Sequence, residues 1–432
     1  MGSSMKIEST HPLKGRRLLV AVSGSIAAVK TPILVSALVK AGAQVRCIIT
    51  PSASRLVSPI ALATLSRNQC YQDEDQWSPK ETRPLHIALA EWAEIVVVAP
   101  LSASSLARWT QGLADGLLAS LLLASECPVI AAPGMNTGMW ENPAVQSNWE
   151  KIKLNPKVLP LSPSFGLLAC DRLGEGRMVD PELIELAISS ALIDKDKTGI
   201  IKRDLEAKRI LVTSGPTIEA LDPARLITNR SSGRMGVLIA QAARFRGAQI
   251  DLVHGPLQLP QSWLEGLNTH SVNDAIEMQA ILRDLQPYAD VVVMAAAVAD
   301  LRKKGGANSN KISKEYLLTS IENSFEAVPD LLAEIANRRS KGQVILGFSA
   351  LTGNDIEIEK IGKEKKQLKG CDLLMANPID RVGQGFEGNT NGGFLIGANG
   401  MVKTIPVTSK LALAHQLLDE ILELKPNISQ NN

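Results

Sequence analysis

The pattern that opens a nucleotide-binding α/β domain occurs twice in this chain. The aliphatic run at 17–22 leads into the turn 23–25 (SGS) and an alanine-rich helical stretch, and the run at 209–214 leads into 215–217 (GPT). A continuous aliphatic run is typical of a strand buried on both faces of a parallel sheet. A small-residue turn behind it lets a phosphate approach backbone N–H groups. Two such openings predict two domains that act on related substrates.

Length and composition narrow the class of protein. The 432 residues exceed one hydrophobic core and fit two domains of about 200 residues each. A net charge of +2 and an aromatic content of 3% argue against a nucleic-acid partner. The five scattered cysteines form no CxxC pair, which favours a reducing compartment. No apolar run could span a membrane and 1–14 lacks a signal-peptide core, so we expect a cytoplasmic protein with no membrane contact.

Alternating strand and helix patterns predict a doubly wound, Rossmann-like α/β domain in each half. In the first half, strands are expected at 17–22, 44–49, 95–98 and 128–131, with helical segments at 27–41 and 101–124. In the second half, strands are expected at 210–213, 249–253, 291–294, 344–348 and 373–376, with a hairpin after the turn-rich stretch 385–394 and a closing helix at 411–424. The charged stretch 194–208 has no apolar period and predicts a linker between domains 1–193 and 209–432.

Beyond the opening turn, three residues of the first half are candidates for a functional role. His86 begins a short helix, and a single histidine is more often structural than catalytic. Asn136 lies in the segment PGMNTGMW, where core packing explains the methionine and tryptophan but not a polar amide between glycines. Cys170 lies in the glycine-rich stretch 166–178, which predicts a flexible, exposed flap. An exposed thiol on a flap is suited to a nucleophilic or proton-donating role.

These motifs resemble those of the flavin-dependent cysteine decarboxylases, and of phosphopantothenoylcysteine decarboxylase in particular. The matching elements are the Gly-Ser-Ile turn, the histidine before an apolar helix, the PxMN-type motif with its Met-Trp, and the Ala-Cys flap that ends in Gly-Arg-Met. The resemblance implies a flavodoxin-like flavoprotein domain in which His86 is the catalytic base, Asn136 contacts the substrate carboxylate and Cys170 donates a proton. It implies that FMN is bound at the strand ends, by Gly24, Ser25, Ile26, Thr50 and Ser102.

The second half places its polar residues in three regions. Asn229 lies in the segment 213–236, which holds more hydroxyl and glycine residues before a predicted helix than a helix cap needs. The segment AAAVAD ends a buried strand at Asp300, which could hold a metal ion or a ribose hydroxyl. Lys311 lies in the loop 302–314, predicted to be mobile, and Lys365 and Lys369 share one helical face. Taken alone, each lysine would be interpreted as a solvated side chain.

This half resembles phosphopantothenate–cysteine ligase, and the two halves in this order resemble the bifunctional coenzyme A biosynthesis proteins of bacteria. The resemblance implies a nucleotide-binding domain that activates 4′-phosphopantothenate with CTP and Mg²⁺, giving an acyl-cytidylate that cysteine attacks. Asn229 would contact the acyl-cytidylate, Lys311 would clamp phosphates and Asp300 would hold the metal. The residues implied to hold CTP are Met294, Ala295, Ala296, Asp300, Lys311, Pro329, Asp330, Leu331, Leu332, Phe348, Lys365 and Lys369.

The product, 4′-phosphopantothenoylcysteine, would be decarboxylated to 4′-phosphopantetheine by the first half. The resemblance also implies a homo-oligomer, with trimers at the flavin sites and dimers of the ligase halves. Four positions depart from the family's motifs: Ser104 for Asn, Gly134 for Ala, Arg234 for Lys and Leu351 for Glu. Two other functions stay open: a non-catalytic regulatory subunit with a flavin fold, and a different flavoprotein that decarboxylates cysteine or transfers prenyl groups.

Overall fold

The structure is a computed structural model that describes residues 11–78, 82–313, 324–386 and 388–424. The described chain divides into two compact units. The first contains the chain up to Arg203 together with Gln261–Gly266, and the second contains Asp204–Pro260 and the chain from Leu267 onward. The boundary at Arg203 falls inside the charged stretch 194–208.

The first unit is built on a six-stranded parallel sheet. Its strands are β1 (Arg17–Val22), β2 (Gln44–Ile49), β3 (Cys70–Tyr71), β4 (Ile95–Leu101), β5 (Val129–Pro133) and β6 (Val158–Pro160). Its helices are α1 (Thr31–Lys40), α2 (Pro59–Ser66), α3 (Leu85–Trp92), α4 (Ala103–Gln111), α5 (Leu117–Ala124), α6 (Thr137–Trp140), α7 (Pro143–Lys153) and α8 (Pro181–Asp194). The strand order is β3-β2-β1-β4-β5-β6, so the order reverses between β1 and β4. Ligands bind at such a reversal, beyond the carboxyl ends of the strands.

Two predicted helical segments of the first unit are interrupted. The segment 101–124 forms α4 and α5, because Gly112 adopts a left-handed φ of 72° and ends α4. The segment 27–41 begins as a 3₁₀ turn at Ile26–Lys30 before α1 starts. Pro32 lies in the first turn of α1, where a missing backbone N–H costs no helical hydrogen bond.

The stretch around Cys170 forms an antiparallel hairpin of β7 (Ser164–Leu167) and β8 (Leu173–Arg177). Two backbone hydrogen bonds close its tip, from Leu168 N to Arg172 O at 2.9 Å and from Asp171 N to Leu168 O at 3.0 Å. The sequence predicts a flexible flap here because of its glycines. In the structure Gly174 and Gly176 let the hairpin lie directly against the turn that holds Asn136.

The second unit is also built on a sheet, which has eight strands where that of the first unit has six. The strands of its main sheet are β9 (Arg209–Ser214), β12 (Gln249–His254), β13 (Asn268–Ser271), β14 (Val291–Met294), β17 (Val344–Leu351), β18 (Leu373–Pro378), β19 (Thr390–Ile396) and β20 (Val402–Ser409). Two further hairpins consist of β10 (Ile218–Asp222) with β11 (Arg225–Thr228), and β15 (Leu301–Lys303) with β16 (Phe325–Ala327). The helices are α9 (Arg234–Phe245), α10 (Ala275–Leu285), α11 (Leu331–Asn337), α12 (Asp355–Lys369) and α13 (Lys410–Glu423).

The order of the main sheet is β13-β12-β9-β14-β17-β18-β19-β20, and β19 and β20 are antiparallel. Its first six strands follow the order of the first unit's sheet, with the reversal between β9 and β14. The prediction of two doubly wound α/β domains is therefore confirmed. Several predicted strands are up to three residues longer in the structure, as at β4 and β17, and β19 begins at Thr390, inside the predicted turn 385–394. In the part of the chain that the structure describes, every helix is too short or too polar to cross a bilayer.

Candidate active sites

Two cavities adjoin at the carboxyl edge of the first sheet, and both are lined by Gly24 and Ser102. The larger, of about 640 Å³, is lined mostly by apolar side chains, including Ile26, Ala27, Val29, Met135, Met139, Leu167, Leu168 and Met178. The smaller, of about 340 Å³, is lined by five hydroxyl residues, Thr50, Ser52, Ser102, Ser104 and Ser105. The five predicted FMN-binding residues, Gly24, Ser25, Ile26, Thr50 and Ser102, all line one or both cavities.

Buried hydrogen bonds fix the strand ends around these cavities. The Ser23 hydroxyl donates to the carbonyl of Pro100 at 2.7 Å and accepts from the N–H of Ser102 at 2.7 Å, which ties the end of β1 to the end of β4. A Cβ atom at Gly24 would lie 2.5 Å from the Cβ of Ser52, so the backbone passes there only as glycine. These contacts fix the carboxyl edge of the first sheet around the two cavities.

The larger cavity brings together two of the three predicted decarboxylase residues. The Asn136 amide donates through Nδ2 to Cys170 Sγ at 3.2 Å, while its Oδ1 accepts from the N–H of Gly138 at 2.9 Å and caps α6. Close packing places the hairpin against this turn, since a Cβ at Gly174 would lie 2.3 Å from Thr137 Oγ1. The exposed Cys170 thiol is thus held at the amide predicted to bind a carboxylate.

His86 is the third predicted residue, and the structure does not bring it to this site. It lies half-buried in the first turn of α3 and lines neither cavity. The two positions of this half that differ from the family's motifs do line the cavities. Ser104 lines the smaller one, and Gly134 lines the larger one, where a Cβ would lie 3.2 Å from the Cβ atoms of Ala27 and Met178.

A cavity of about 670 Å³ lies at the carboxyl edge of the second sheet. It is lined by every predicted ligase residue except Lys311: Asn229, Met294, Ala295, Ala296, Asp300, Pro329, Asp330, Leu331, Leu332, Phe348, Lys365 and Lys369. These residues come from short motifs far apart in the sequence, and they make up fewer than half of the residues that line the cavity.

The two hydroxyl residues that end β9 support the cavity without lining it. Thr213 Oγ1 accepts from the N–H of Ala296 at 3.1 Å, and Ser214 Oγ donates to the carbonyl of Gly233 at 2.6 Å. The Asn229 amide donates to the carbonyl of Val298 at 2.9 Å, which fixes it beside the end of β14. The β10–β11 hairpin separates β9 from α9, so the turn that faces the cavity is 229–234 and not the GPT turn at 215–217.

The cavity carries cations from three helices. Lys365 and Lys369 lie one turn apart on α12, and Lys369 Nζ pairs with the carboxylate of Asp330, which also caps α11. Arg234 and Lys410 are the first residues of α9 and α13. Burial, and secondarily the charge of Arg234, lower the pKa of Lys410 to about 8.

Lys311 does not reach this cavity. It is exposed, and its neighbour Ile312 is held at the β10–β11 hairpin by a hydrogen bond from its N–H to Asp222 Oδ2 at 3.1 Å. Arg225 binds the carbonyl of the same residue. The predicted mobile loop ends at 314, which lies outside the described residues. The fourth departure, Leu351, packs in a buried apolar cluster with Ile358, Ala376, Phe394 and Ile396 and does not line the cavity.

Sequence reasoning missed several polar residues that line the cavity, namely Ser231, Ser232, Asn377, Asn391 and Lys410. One signal could have found Lys410: a lysine directly after a helix-capping serine lies at the positive end of the helix dipole, where cations are disfavoured. The predicted metal residue, Asp300, has no cluster around it, since the described residues contain no group of three histidine, cysteine or acidic side chains that could hold a metal ion.

Comparison with known proteins decides the family. The flavoprotein family model matches residues 6–192, and the model for the DNA/pantothenate metabolism flavoprotein C-terminal domain matches residues 205–424. The coenzyme A biosynthesis bifunctional protein CoaBC of Bacillus subtilis (strain 168) is 35% identical over 425 residues, which are 97% of this chain and 100% of the relative. The chain belongs to the CoaBC family.

A second CoaBC relative, from Escherichia coli (strain K12), is 34% identical over 417 residues, which are 95% of this chain and 97% of the relative. A solved structure described as the FMN-binding protein AtHal3 is 34% identical and covers 40% of this chain and 95% of its own, with a TM-score of 0.37. Membership in the CoaBC family confirms the predicted resemblance and the prediction of a bifunctional enzyme of coenzyme A biosynthesis with a decarboxylase and a ligase half.

Proposed function

We propose that this CoaBC protein ligates cysteine to 4′-phosphopantothenate with CTP and then decarboxylates the product to 4′-phosphopantetheine with FMN. One observation carries the proposal: each unit gathers its predicted site residues at one cavity edge. Asn136 and Cys170 meet in the first unit, and twelve predicted ligase residues line one cavity in the second.

The cavities of the first unit fit FMN. The isoalloxazine ring is apolar and flat, whereas the phosphate needs hydroxyl and backbone donors. The larger, mostly apolar cavity suits the ring, and the adjoining one, with Thr50, Ser52 and Ser102, suits the phosphate. When bound, FMN supplies the transient oxidation of the cysteine-derived end of the substrate that lets its carboxylate leave.

The residues of the chain perform the remaining tasks of the decarboxylation. Asn136 binds the substrate carboxylate through Nδ2, the atom that holds Cys170 Sγ in this structure. Substrate binding therefore displaces Cys170, whose thiol then donates a proton as the product forms. The β7–β8 hairpin, packed against the turn of Asn136, holds Cys170 next to that amide.

We infer that His86 acts in a site shared between two copies of the chain. Its side chain does not line the cavity that holds Asn136 and Cys170 in the same chain. The rim of that cavity exposes apolar side chains, with Ile26 55% and Leu167 63% exposed, as expected of a surface covered by a second copy. This arrangement agrees with the trimer that the family resemblance implies.

Complementation between inactive variants tests the shared site. His86→Asn and Cys170→Ser should each abolish decarboxylation alone. Co-expressed with different tags and purified as mixed oligomers, the two variants should regain activity, because about a quarter of shared sites then contain both intact residues. Mixed oligomers that stay inactive would contradict a site shared between chains.

The cavity of the second unit fits CTP and the acyl substrate. Forming an acyl-cytidylate joins two anions, so the reaction needs cations and precise positioning more than covalent help from the protein. Lys365 and Lys369 supply positive charge from α12, and Asp300 supplies a carboxylate. A single carboxylate with substrate phosphates is the usual setting of Mg²⁺, which would offset charge on the triphosphate.

Asn229 lies beside the end of β14, where we expect the acyl-cytidylate to be attacked by cysteine. Lys311 is expected to clamp phosphates only after the loop that carries it moves, since it does not line the cavity. The nucleotide assignment is tested by pyrophosphate release with 4′-phosphopantothenate and Mg²⁺. CTP should support release and ATP should not, and equal rates with both nucleotides would contradict CTP specificity.

A further inference from the structure

Lys410 is a buried lysine inside the ligase cavity. It is 2% exposed and lines the cavity at the first position of α13, directly after the capping residue Ser409. Its Nζ donates to the carbonyls of Gly385 at 2.9 Å and Phe386 at 3.1 Å. An ammonium group has three donors, so these two carbonyls leave one N–H that can bind a ligand.

The surroundings of Lys410 are positively charged. Arg234, the first residue of α9, lines the same cavity, and α9 packs against α13. The N-terminal ends of both helices carry positive partial charge, where a cation is unfavourable and an anion is favoured. Burial and Arg234 also lower the pKa of Lys410 to about 8, so a bound anion would stabilise its protonated form.

The chemistry of the two ligase substrates indicates which anion binds there. CTP has its own cations in the proposed function, Lys365 and Lys369 on α12. The other substrate carries a phosphate at the opposite end from its reacting carboxylate, and that phosphate needs a separate set of donors. Ser231 and Asn391 line the same cavity and add polar groups to those of Arg234 and Lys410.

We propose that Lys410 is a substrate-binding residue of the ligase site, and that its ammonium group holds the phosphate of 4′-phosphopantothenate. The inference rests on the proposed ligase function. The contacts of Lys410 make this donor preorganised, because the carbonyl of Phe386 also accepts from the hydroxyl of Ser232 at 3.2 Å. Lys410 and Ser232, which lies in the turn before α9, therefore both bind the carbonyl of Phe386. The ammonium group of Lys410 is thus held in place and needs little rearrangement when the phosphate binds.

Calorimetric titrations of the full chain test the assignment with three probes: 4′-phosphopantothenate, pantothenate without the phosphate, and CTP with Mg²⁺. The variants are Lys410→Gln, Lys410→Arg and, as a matched control, Lys341→Gln at an exposed lysine that does not line the cavity. Lys410→Gln should weaken 4′-phosphopantothenate binding by about 10- to 100-fold, the range for losing a hydrogen bond to a charged group. Its pantothenate and CTP affinities should stay within about twofold of wild type.

Lys410→Arg should recover most of the 4′-phosphopantothenate affinity, and Lys341→Gln should bind all three probes as the wild type does. Unchanged 4′-phosphopantothenate binding in Lys410→Gln would overturn the proposal. An equal loss of affinity for all three probes would also overturn it, because Lys410 would then only support the fold of the cavity. The wild-type titrations distinguish failure of the Lys410 proposal from failure of the proposed ligase function. A wild type that binds neither 4′-phosphopantothenate nor CTP would contradict the ligase function itself.

Discussion

Gly176 offers a sharp test of the decarboxylase site, because its backbone touches the turn that holds Asn136. Its φ is +130°, which other residues rarely adopt, and a Cβ there would lie 2.3 Å from the carbonyl oxygen of Met135. Ordinary contact begins at 3.4 Å, so Gly176→Ala must push the hairpin and the turn roughly 1 Å apart. The hydrogen bond from Met135 N to Gly176 O, now 2.9 Å long, lies in the same contact.

We expect Gly176→Ala to lower the decarboxylation kcat by about 100-fold, since a displacement of about 1 Å in a positioned group has an effect of this size. The assay follows conversion of 4′-phosphopantothenoylcysteine to 4′-phosphopantetheine by mass spectrometry. Ligation of cysteine should proceed at the wild-type rate, because the ligase cavity lies in the other unit. Flavin absorbance is measured in parallel, because Gly176 lines the larger cavity that suits the flavin ring, and it separates loss of flavin from misplacement of Cys170.

Gly112→Ala is the matched control. Gly112 also has a positive φ, +72°, but nothing lies within 4 Å of an added Cβ. Gly112→Ala therefore carries a left-handed backbone penalty of about 1 kcal/mol without a clash. Gly112→Ala should decarboxylate at the wild-type rate. Equal rates for Gly176→Ala and wild type would refute the argument that close packing of the hairpin positions Cys170.

Three further substitutions probe individual residues. Cys170→Ser should bind flavin and substrate without releasing 4′-phosphopantetheine, and normal turnover in product analysis would remove the thiol from the mechanism. Asn229→Asp should still release pyrophosphate but ligate cysteine at least about tenfold more slowly, because the amide that contacts the acyl-cytidylate is lost; an unchanged ligation rate would exclude that role. Leu351→Glu should lower the free energy of unfolding of the second unit by about 3–5 kcal/mol, since it buries a charge in an apolar cluster. Urea unfolding measures this loss, and a change below about 1 kcal/mol would show that the cluster opens to water.

The sheets could be predicted from sequence because buried parallel strands carry continuous aliphatic runs. The predicted strands at 17–22 and 44–49 have the observed bounds. The hairpins β7–β8 and β10–β11 could not be predicted in the same way. The covered positions of β7 and β8 hold Ser164, Gly166, Gly174 and Gly176, and β11 exposes Leu226, so the sequence lacks the alternation of apolar and polar residues that predicts a strand.

The predicted part of the ligase cavity was accessible from sequence because most of those residues follow strand ends, and parallel strands bring their carboxyl ends to one edge. Lys410 was not predicted, because it follows β20, which the chain reaches only after the reversal at β19, far along the chain from the other motifs. His86 shows the opposite limit. Its family motif can be identified in the sequence, but within the chain His86 does not line the cavity that holds Cys170, and no local pattern encodes that separation.

The most direct test of the whole account is mass spectrometry of the purified full chain incubated with 4′-phosphopantothenate, cysteine, CTP and Mg²⁺. We expect 4′-phosphopantetheine, with 4′-phosphopantothenoylcysteine as a transient species. If the reaction ended at 4′-phosphopantothenoylcysteine, the result would contradict the proposed decarboxylase function. Ser104 and Gly134, which line the cavities of the first unit, would then be the first positions to substitute. No conversion of 4′-phosphopantothenate by a folded, flavin-loaded protein would contradict both halves of the account.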